Sequence, residues 1–232
     1  MDRAFGCGPK DCRFDSCRAH MKKNIARLNK TNIVSGRLFD LVPELYELKD
    51  VIENSADGWH DQESVFDHTL SVMNALEKAF LNFHGYIKGT INKEVTTNTR
   101  KILLKVATVL HDIGKKETIV KDQNGFTICE GHEKISVQKA KKILNLFDVS
   151  REEAEFILNI IENHHIFHRL LRTDNQNFQQ EFVTLKNKFS GTIWTELILL
   201  SYADTINSQL KRVDAKEFRR RINFYKQEIE KL

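Results

Sequence analysis

Proline is almost missing from this 232-residue chain, which has two, Pro9 and Pro43. Helix interiors exclude proline, so its scarcity leaves room for long uninterrupted helices. There is no run of about 18 apolar residues, and no membrane-spanning helix is expected. No apolar leader segment marks the chain for secretion, which makes the cytoplasm the expected compartment. Neither sign of charge dominates. Lys and Arg total 36 against 32 Asp and Glu, a net charge of +4. That balance tolerates anionic substrates but is no argument by itself for nucleic-acid binding. Internal repeats and low-complexity segments are also absent.

Cysteine is scarce and bunched: three of the four are Cys7, Cys12 and Cys17, followed by His20. The spacing C-x4-C-x4-C-x2-H is a possible four-ligand zinc set, although such sites more often use a C-x2-C pair. The competing expectation is a disordered or non-native segment, because His20-Met21 matches a common cloning junction. Residues 1–20 are set apart on that ground. The remainder divides into a domain over 21–210 and a charged helix over 211–232 that packs on it. Cys129 reads as an ordinary small hydrophobe.

What is present favours helix. Hydrophobic residues make up 41% of the chain, enough for a core, and most fall at helical spacing. Leu38, Leu41, Val42, Leu45, Leu48 and Val51/Ile52 form a stripe, with Pro43 opening a helix and Glu44 in its first turn. Val65, Phe66, Leu70, Val72, Met73, Leu76, Ala79 and Phe80 line the next helix, capped by Asp61 or Ser64. The polar stretch from Gly85 to Thr99 reads as a loop. Asn124-Gly125 sits between two β-rich arms, which predicts a hairpin with a type I′ turn, the only sheet expected. Gly131-His132 opens a further helix. Ser150 with Glu153 forms a capping box. Phe178, Phe182, Leu185 and Phe189 mark an amphipathic helix that Gly191 ends. An almost wholly apolar helix then carries Asp204. The expected class is all-α, a helical bundle with one small hairpin.

The chemistry centres on Thr108–Lys116, T-V-L-H-D-I-G-K-K. His111 and Asp112 stand at the end of an apolar helix, with His111 on the face of Leu104 and Ala107. Gly114 is expected to end that helix at positive φ, with Lys115 projecting a cation beside the pair. An imidazole and a carboxylate at the edge of a core need a neutralising partner. His68, His132, His164, His165 and Asp204 also lie on apolar faces or at helix ends. Each alone has a structural reading, since a lone histidine on an apolar face is usually a hydrogen-bonded core residue. Seven such residues over five helices point instead to a metal centre. Imidazoles with carboxylates and no thiolate suit Fe, Mn, Co, Ni or Zn in a catalytic rather than a structural site. Helical steps from Ile157, Ile160 and Ile161 favour His164 over its neighbour His165 as ligand.

In order, His68, His111-Asp112, His132, His164 and Asp204 match the pattern H…HD…H…H…D, and the chain resembles the HD-domain metal-dependent phosphohydrolases. It is similar above all to the HD domain of bacterial tRNA nucleotidyltransferases (CCA-adding enzymes) and poly(A)-polymerase-like proteins. LVPELYEL, WHDQESVFDHTL, LHDIGKKETIVKDQNGFTICEGHEKISVQKAKKIL and IIENHH carry that likeness, over about residues 36–206. The resemblance implies an all-α HD fold with phosphatase or phosphodiesterase activity on a nucleotide, cyclic nucleotide or RNA-end phosphate. It implies one or two divalent ions (Mn, Fe, Ni, Co or Mg) held by His68, His111, Asp112, His132, His164 and Asp204. The nucleotidyltransferase head is lacking, so CCA addition is not expected, and no GYP signature follows the HD motif.

The mechanistic expectation is that His68, His111, Asp112 and Asp204 hold a first ion while His132 and His164 complete a second. Activated water would attack phosphorus, with Asp112 and Lys115 as the catalytic pair, Lys115 holding a phosphate oxygen. Two rival readings remain. One is a catalytically silent module that binds RNA or nucleotide through the tail arginines Arg219, Arg220 and Arg221. The other is a fragment acting with a separate nucleotidyltransferase head.

Overall fold

The computed structural model describes residues 22–232, so the Cys7/Cys12/Cys17/His20 set and the boundary at residue 20 lie outside the described residues. The elements run β1 (Lys23–Asn24), α1 (Lys30–Val34), α2 (Pro43–Glu47), β2 (Ile52–Asn54), β3 (Asp61–Ser64), α3 (Val65–Asn82), α4 (His84–Ile91) and α5 (Arg100–Leu110). They continue with α6 (Lys115–Thr118), β4 (Val120–Lys121), β5 (Thr127–Ile128), α7 (His132–Leu144), β6 (Phe147–Asp148), α8 (Arg151–Asn163) and α9 (Ile166–Leu170). The chain closes with α10 (Phe178–Phe189), α11 (Trp194–Asn207), α12 (Leu210–Val213) and α13 (Ala215–Ile229). The fold is mostly helical, as expected.

Helix α11 is the axis of the core. Every residue from Trp194 to Thr205 is buried, with α3, α13 and α9 packed around it and α5 packed between α3 and α8. A helix apolar on all sides has to be central. Each fully buried Leu or Ile there contributes roughly 1.5–3 kcal/mol of hydrophobic stabilisation. Its one acidic first-turn residue, Glu196, is matched by Arg100 at the start of α5, which donates Nε to Oε1 at 2.8 Å and Nη2 to Oε2 at 2.6 Å.

Capping chemistry fixes where several helices start. Ser64, not Asp61, caps α3 by accepting from the Asp67 amide at 3.0 Å, because Asp61 is committed to β3. The capping box of α8 is present in both directions. Glu153 does more than close it. Its carboxylate also accepts the amides of Thr97 and Asn98 at 2.8 and 2.6 Å, tying the loop before α5 to α8.

Four local expectations are corrected. First, Gly85–Thr99 is not all loop: α4 covers most of its first half because Ile87 and Ile91, one turn apart, are both fully buried. Tertiary burial there overrides two glycines. Second, three two-stranded sheets are present among the described residues: β1–β6 parallel, β2–β3 antiparallel and β4–β5 antiparallel. The helical stripe does not extend through Val51/Ile52, since Ile52 opens β2.

Third, the β4–β5 hairpin has no type I′ turn. Gly125 has φ 83° while Asn124 does not have positive φ. Gly125 donates to the Asp122 carbonyl at 3.1 Å, and Asp122 donates to the Phe126 carbonyl at 2.8 Å. That is a type I turn followed by a left-handed glycine, a three-residue loop. Asp122 Oδ1 selects it by accepting the amides of Asn124 and Phe126.

Fourth, Gly114 does not have positive φ; its value is −87°. Glycine is required there by close approach. A Cβ would stand 2.5 Å from the Ser136 amide nitrogen and 2.6 Å from the His132 carbonyl oxygen. The turn after α5 therefore lies directly on the first turn of α7, and this contact presents Asp112 to His132.

Candidate metal centre

His111 and His164 stand just past the C-terminal ends of α5 and α8, and His132 is the first residue of α7. At each position the carbonyl three residues earlier accepts from the ring. His111 Nδ1–H donates to Thr108 O at 2.8 Å, His132 Nδ1–H to Cys129 O at 2.7 Å, and His164 Nδ1–H to Ile161 O at 2.6 Å. These bonds fix one tautomer in all three rings and turn each Nε2 lone pair toward the centre.

Asp112 joins them. Its Oδ1 lies 3.2 Å from His132 Nε2 and 3.5 Å from His164 Nε2, and its Oδ2 lies 3.2 Å from His111 Nε2. The two Nε2 atoms of His132 and His164 are 3.3 Å apart. Asp112 Oδ1 and the two Nε2 atoms thus converge on one buried point, and Asp112 Oδ1 and His111 Nε2 have no hydrogen-bond partner. Buried acceptors so arranged repel unless a cation sits among them. The donor set fits a divalent ion of the nitrogen-and-oxygen-binding kind. A second group adjoins it: ligand atoms of His68, His111 and Asp204 lie within 4.8 Å of one another, with His68 Nε2 2.8 Å from Asp204 Oδ1. Asp112 stands between the two, one oxygen toward each.

The electrostatics keep the carboxylates ionised. Burial raises the pKa of Asp112, but His111 and Lys115 outweigh it and hold the group well below the carboxylate range. Asp204 is held well below in the same way, by His168 and His68 against burial. Burial lowers His164 to about 4, with Asp112 opposing, so its ring is neutral and available as a ligand. Burial also pulls His68 down, yet Asp204 and Glu63 together push it up to about 10.

All six predicted ligands therefore meet in one place. Lys115 does place its cation beside the pair, but from a buried position: it is 3% exposed, with Nζ 2.9 Å from both Glu53 Oε2 and Asp112 Oδ2. Burial lowers its pKa, but Asp112 and Glu53 dominate and raise it. His165 stands half-buried at the edge, Nδ1 3.5 Å from Glu133 Oε1.

Five contributors were not foreseen. Glu53, His60 and Glu63 come from the β2–β3 hairpin. His168 brings Nε2 within 2.7 Å of Asp204 Oδ2, and its signal was the i, i+4 spacing from His164. Cys129 is no bystander either: its carbonyl holds His132, and its Sγ lies 3.6 Å from Glu53 Oε1. A cavity of about 1120 Å³ opens onto the centre, lined by Asp112, Lys115, His132, His168 and Asp204, with Trp59 at its wall. That volume holds a small organic phosphate with room to spare.

Of the tail arginines Arg219 and Arg220 are exposed and Arg221 faces inward. Arg221 is buried, donating to Glu217 and to the carbonyls of His168 and Leu171, and Arg220 binds Glu217 and the Leu171 carbonyl. No helix among the described residues is long and apolar enough to cross a membrane.

Comparison with known proteins adds two findings. A family profile described as HD domain matches residues 65–207, more than half of the chain. No curated protein matches it.

Proposed function

This chain belongs to the HD domain family, and on that premise we propose that it is a metal-dependent phosphohydrolase. The family suggests a metal-dependent hydrolase with a phosphate-ester substrate. We assign to it a phosphomonoester or phosphodiester of a nucleotide, a cyclic nucleotide or an RNA end. The observation that carries the reading is the buried convergence of Asp112 Oδ1 with His132 Nε2 and His164 Nε2, in which Asp112 Oδ1 has no hydrogen-bond partner.

His132, His164 and Asp112 would hold one divalent ion; His68, His111 and Asp204 would hold another, with Asp112 between them. Bound there, such ions supply Lewis acidity to a phosphoryl group and lower the pKa of water. The chain's own residues do the rest. The backbone-anchored rings arrive preorganised, so no tautomer has to change. Lys115 has three donors, two of them given to Glu53 and Asp112, which leaves one for a phosphate oxygen and keeps Asp112 Oδ2 in place. The nucleotide or RNA-end substrate is our extension of the motif resemblance to the HD segment of tRNA nucleotidyltransferases.

The test is hydrolysis by metal-reconstituted protein of a generic phosphomonoester, a generic phosphodiester, 2′,3′-cyclic nucleotides and mononucleotides, with Asp112→Ala alongside. Turnover that requires metal and vanishes in the variant, with helicity retained, is the expected result. An active Asp112→Ala protein refutes the mechanism. Bound metal without turnover on any ester would favour the silent binding module.

A further inference from the structure

One histidine of the centre is held differently from the others. His111, His132 and His164 each give Nδ1–H to the carbonyl three residues back, but His68 lies inside the first turns of α3. Its equivalent carbonyl, Val65 O, is already taken by the Thr69 hydroxyl at 2.8 Å. Nδ1 of this fully buried ring has no hydrogen-bond partner, and the carboxylate facing it is Glu63, with Oε1 at 3.4 Å.

The backbone around Glu63 is built against local preference. In the β2–β3 hairpin Glu53 pairs directly with Glu63, while Asn54 pairs with Asp61, so Gln62 is the extra residue of a bulge. Gln62 has φ 56°, left-handed backbone that a non-glycine residue rarely adopts. Opposed carboxylates and a strained bulge both destabilise a two-stranded ribbon. What offsets them lies between the strands: His60 Nδ1 bonds Glu63 Oε1 at 3.0 Å, and its Nε2 stands 3.6 Å from Glu53 Oε2. As directly opposed partners Glu53 and Glu63 share one face, toward Lys115 and His68 respectively.

We infer that Glu63, clamped by His60, is the positioning residue for His68: it receives the Nδ1–H and so commits Nε2 to the ion shared with His111 and Asp204. The hairpin, residues 52–64, precedes the segment matched to the HD family, so this chain supplies the orienting carboxylate from outside the matched domain. The inference rests on the metal reading proposed above. An ion held instead between His60, Glu63 and His68, whose ligand atoms are also close enough, would require His68 to lose both ring protons in order to serve two ions. It would also displace the His60–Glu63 bond.

The experiment is a two-site titration of metal-free protein with Zn2+ against a competing chelator, for wild type, Glu63→Ala, Glu63→Gln and His60→Asn. It is joined by 15N spectroscopy of the histidine rings in the Zn2+-loaded wild type. We expect two ions per chain and a protonated Nδ1 with ligating Nε2 for His68. In Glu63→Ala one of the two affinities falls by about 10–100-fold, the usual loss when a ligand's orienting partner is removed. Glu63→Gln, whose amide oxygen still accepts Nδ1–H, retains most of the affinity, and His60→Asn lies between. The spectroscopic result stands even if Glu63→Ala fails to fold. Unchanged affinities in a folded Glu63→Ala protein, or ligation of His68 through Nδ1, overturn the inference alone. A third ion lost in His60→Asn overturns it in favour of the hairpin site. Wild-type protein that binds no ion overturns both this inference and the metal reading.

Discussion

Replacing Gly114 by alanine tests how the fold delivers the site. The backbone there is right-handed, φ −87° and ψ −6°, so alanine meets no conformational penalty and the whole effect is contact. The new methyl would lie 2.5 Å from Ser136 N, 2.6 Å from His132 O and 2.9 Å from Ile135 Cβ. Two of these are backbone atoms of α7 and cannot rotate away, so relief requires α7 to retreat by about 1 Å. Overpacking of this kind costs about 1–3 kcal/mol. The retreat also stretches the bond from the Gly114 amide to Ser136 Oγ, 2.9 Å and buried, worth about 1 kcal/mol. A loss near 3 kcal/mol lowers the melting temperature of a domain this size by roughly 10 °C. His132 rides on the displaced turn, so the ion shared by Asp112, His132 and His164 should be bound more weakly. Thermal unfolding with chelator present, and metal titration without it, read the two effects separately. A Gly114→Ala protein that melts within about 2 °C of wild type and binds metal unchanged would refute the contact argument.

Gly89→Ala is the converse case: it sits in α4 with nothing within 4 Å of a new Cβ and should gain about 0.5–1 kcal/mol in urea titration. Arg100→Met leaves Glu196 buried without its bidentate partner. It should cost about 3–5 kcal/mol, much of it recovered by adding Glu196→Gln, as a double-mutant cycle will show. Glu153 is shifted to about 2: burial opposes the shift, but the Asn98, Thr97 and Ser150 amides prevail. A depressed carboxylate stabilises the fold above its unfolded pKa near 4.5 and loses that contribution as pH falls toward about 2. Glu153→Gln should therefore flatten the acid limb of the stability profile by roughly 2 kcal/mol between those pH values, discounted for screening. A divalent ion at a hundredfold excess over its Kd should stabilise the protein by about 2.7 kcal/mol, and Asp112→Ala should abolish that gain.

What the sequence disclosed follows from where its periodicity is strong. The α3, α5, α7, α8 and α11 faces are regular, so His68, His111, His132, His164 and Asp204 could be placed on inward faces before any coordinates. The Ser150–Glu153 capping box reads directly because both partners are three residues apart. The helix over His84–Ile91 did not show, because its evidence is two isoleucines whose burial depends on α3, α5 and α11. The β2–β3 hairpin was hidden for a related reason. Its alternation is carried by Glu53, Glu63 and Asp61, and charged short strands resemble a loop when the groups they face are unknown.

The same limit explains Lys115. A lysine following a helix end reads as solvated, and only the arrival of Glu53, 62 residues earlier in the chain, buries it. Local rules are broken together in this one region: a left-handed glutamine, two glutamates opposed across a ribbon, a lysine and several histidines out of contact with water. Natural chains keep local preference and global structure consistent except where function demands otherwise. In each case the group left unsatisfied by its own element is completed by another element of the same cluster. Glu53 and Asp112 complete Lys115, and Glu63 faces His68. Among the atoms left without a hydrogen-bond partner are Asp112 Oδ1 and His111 Nε2, both facing the centre. Two acceptors left facing inward at the point where His132 and His164 also converge are what the metal reading proposed above accounts for.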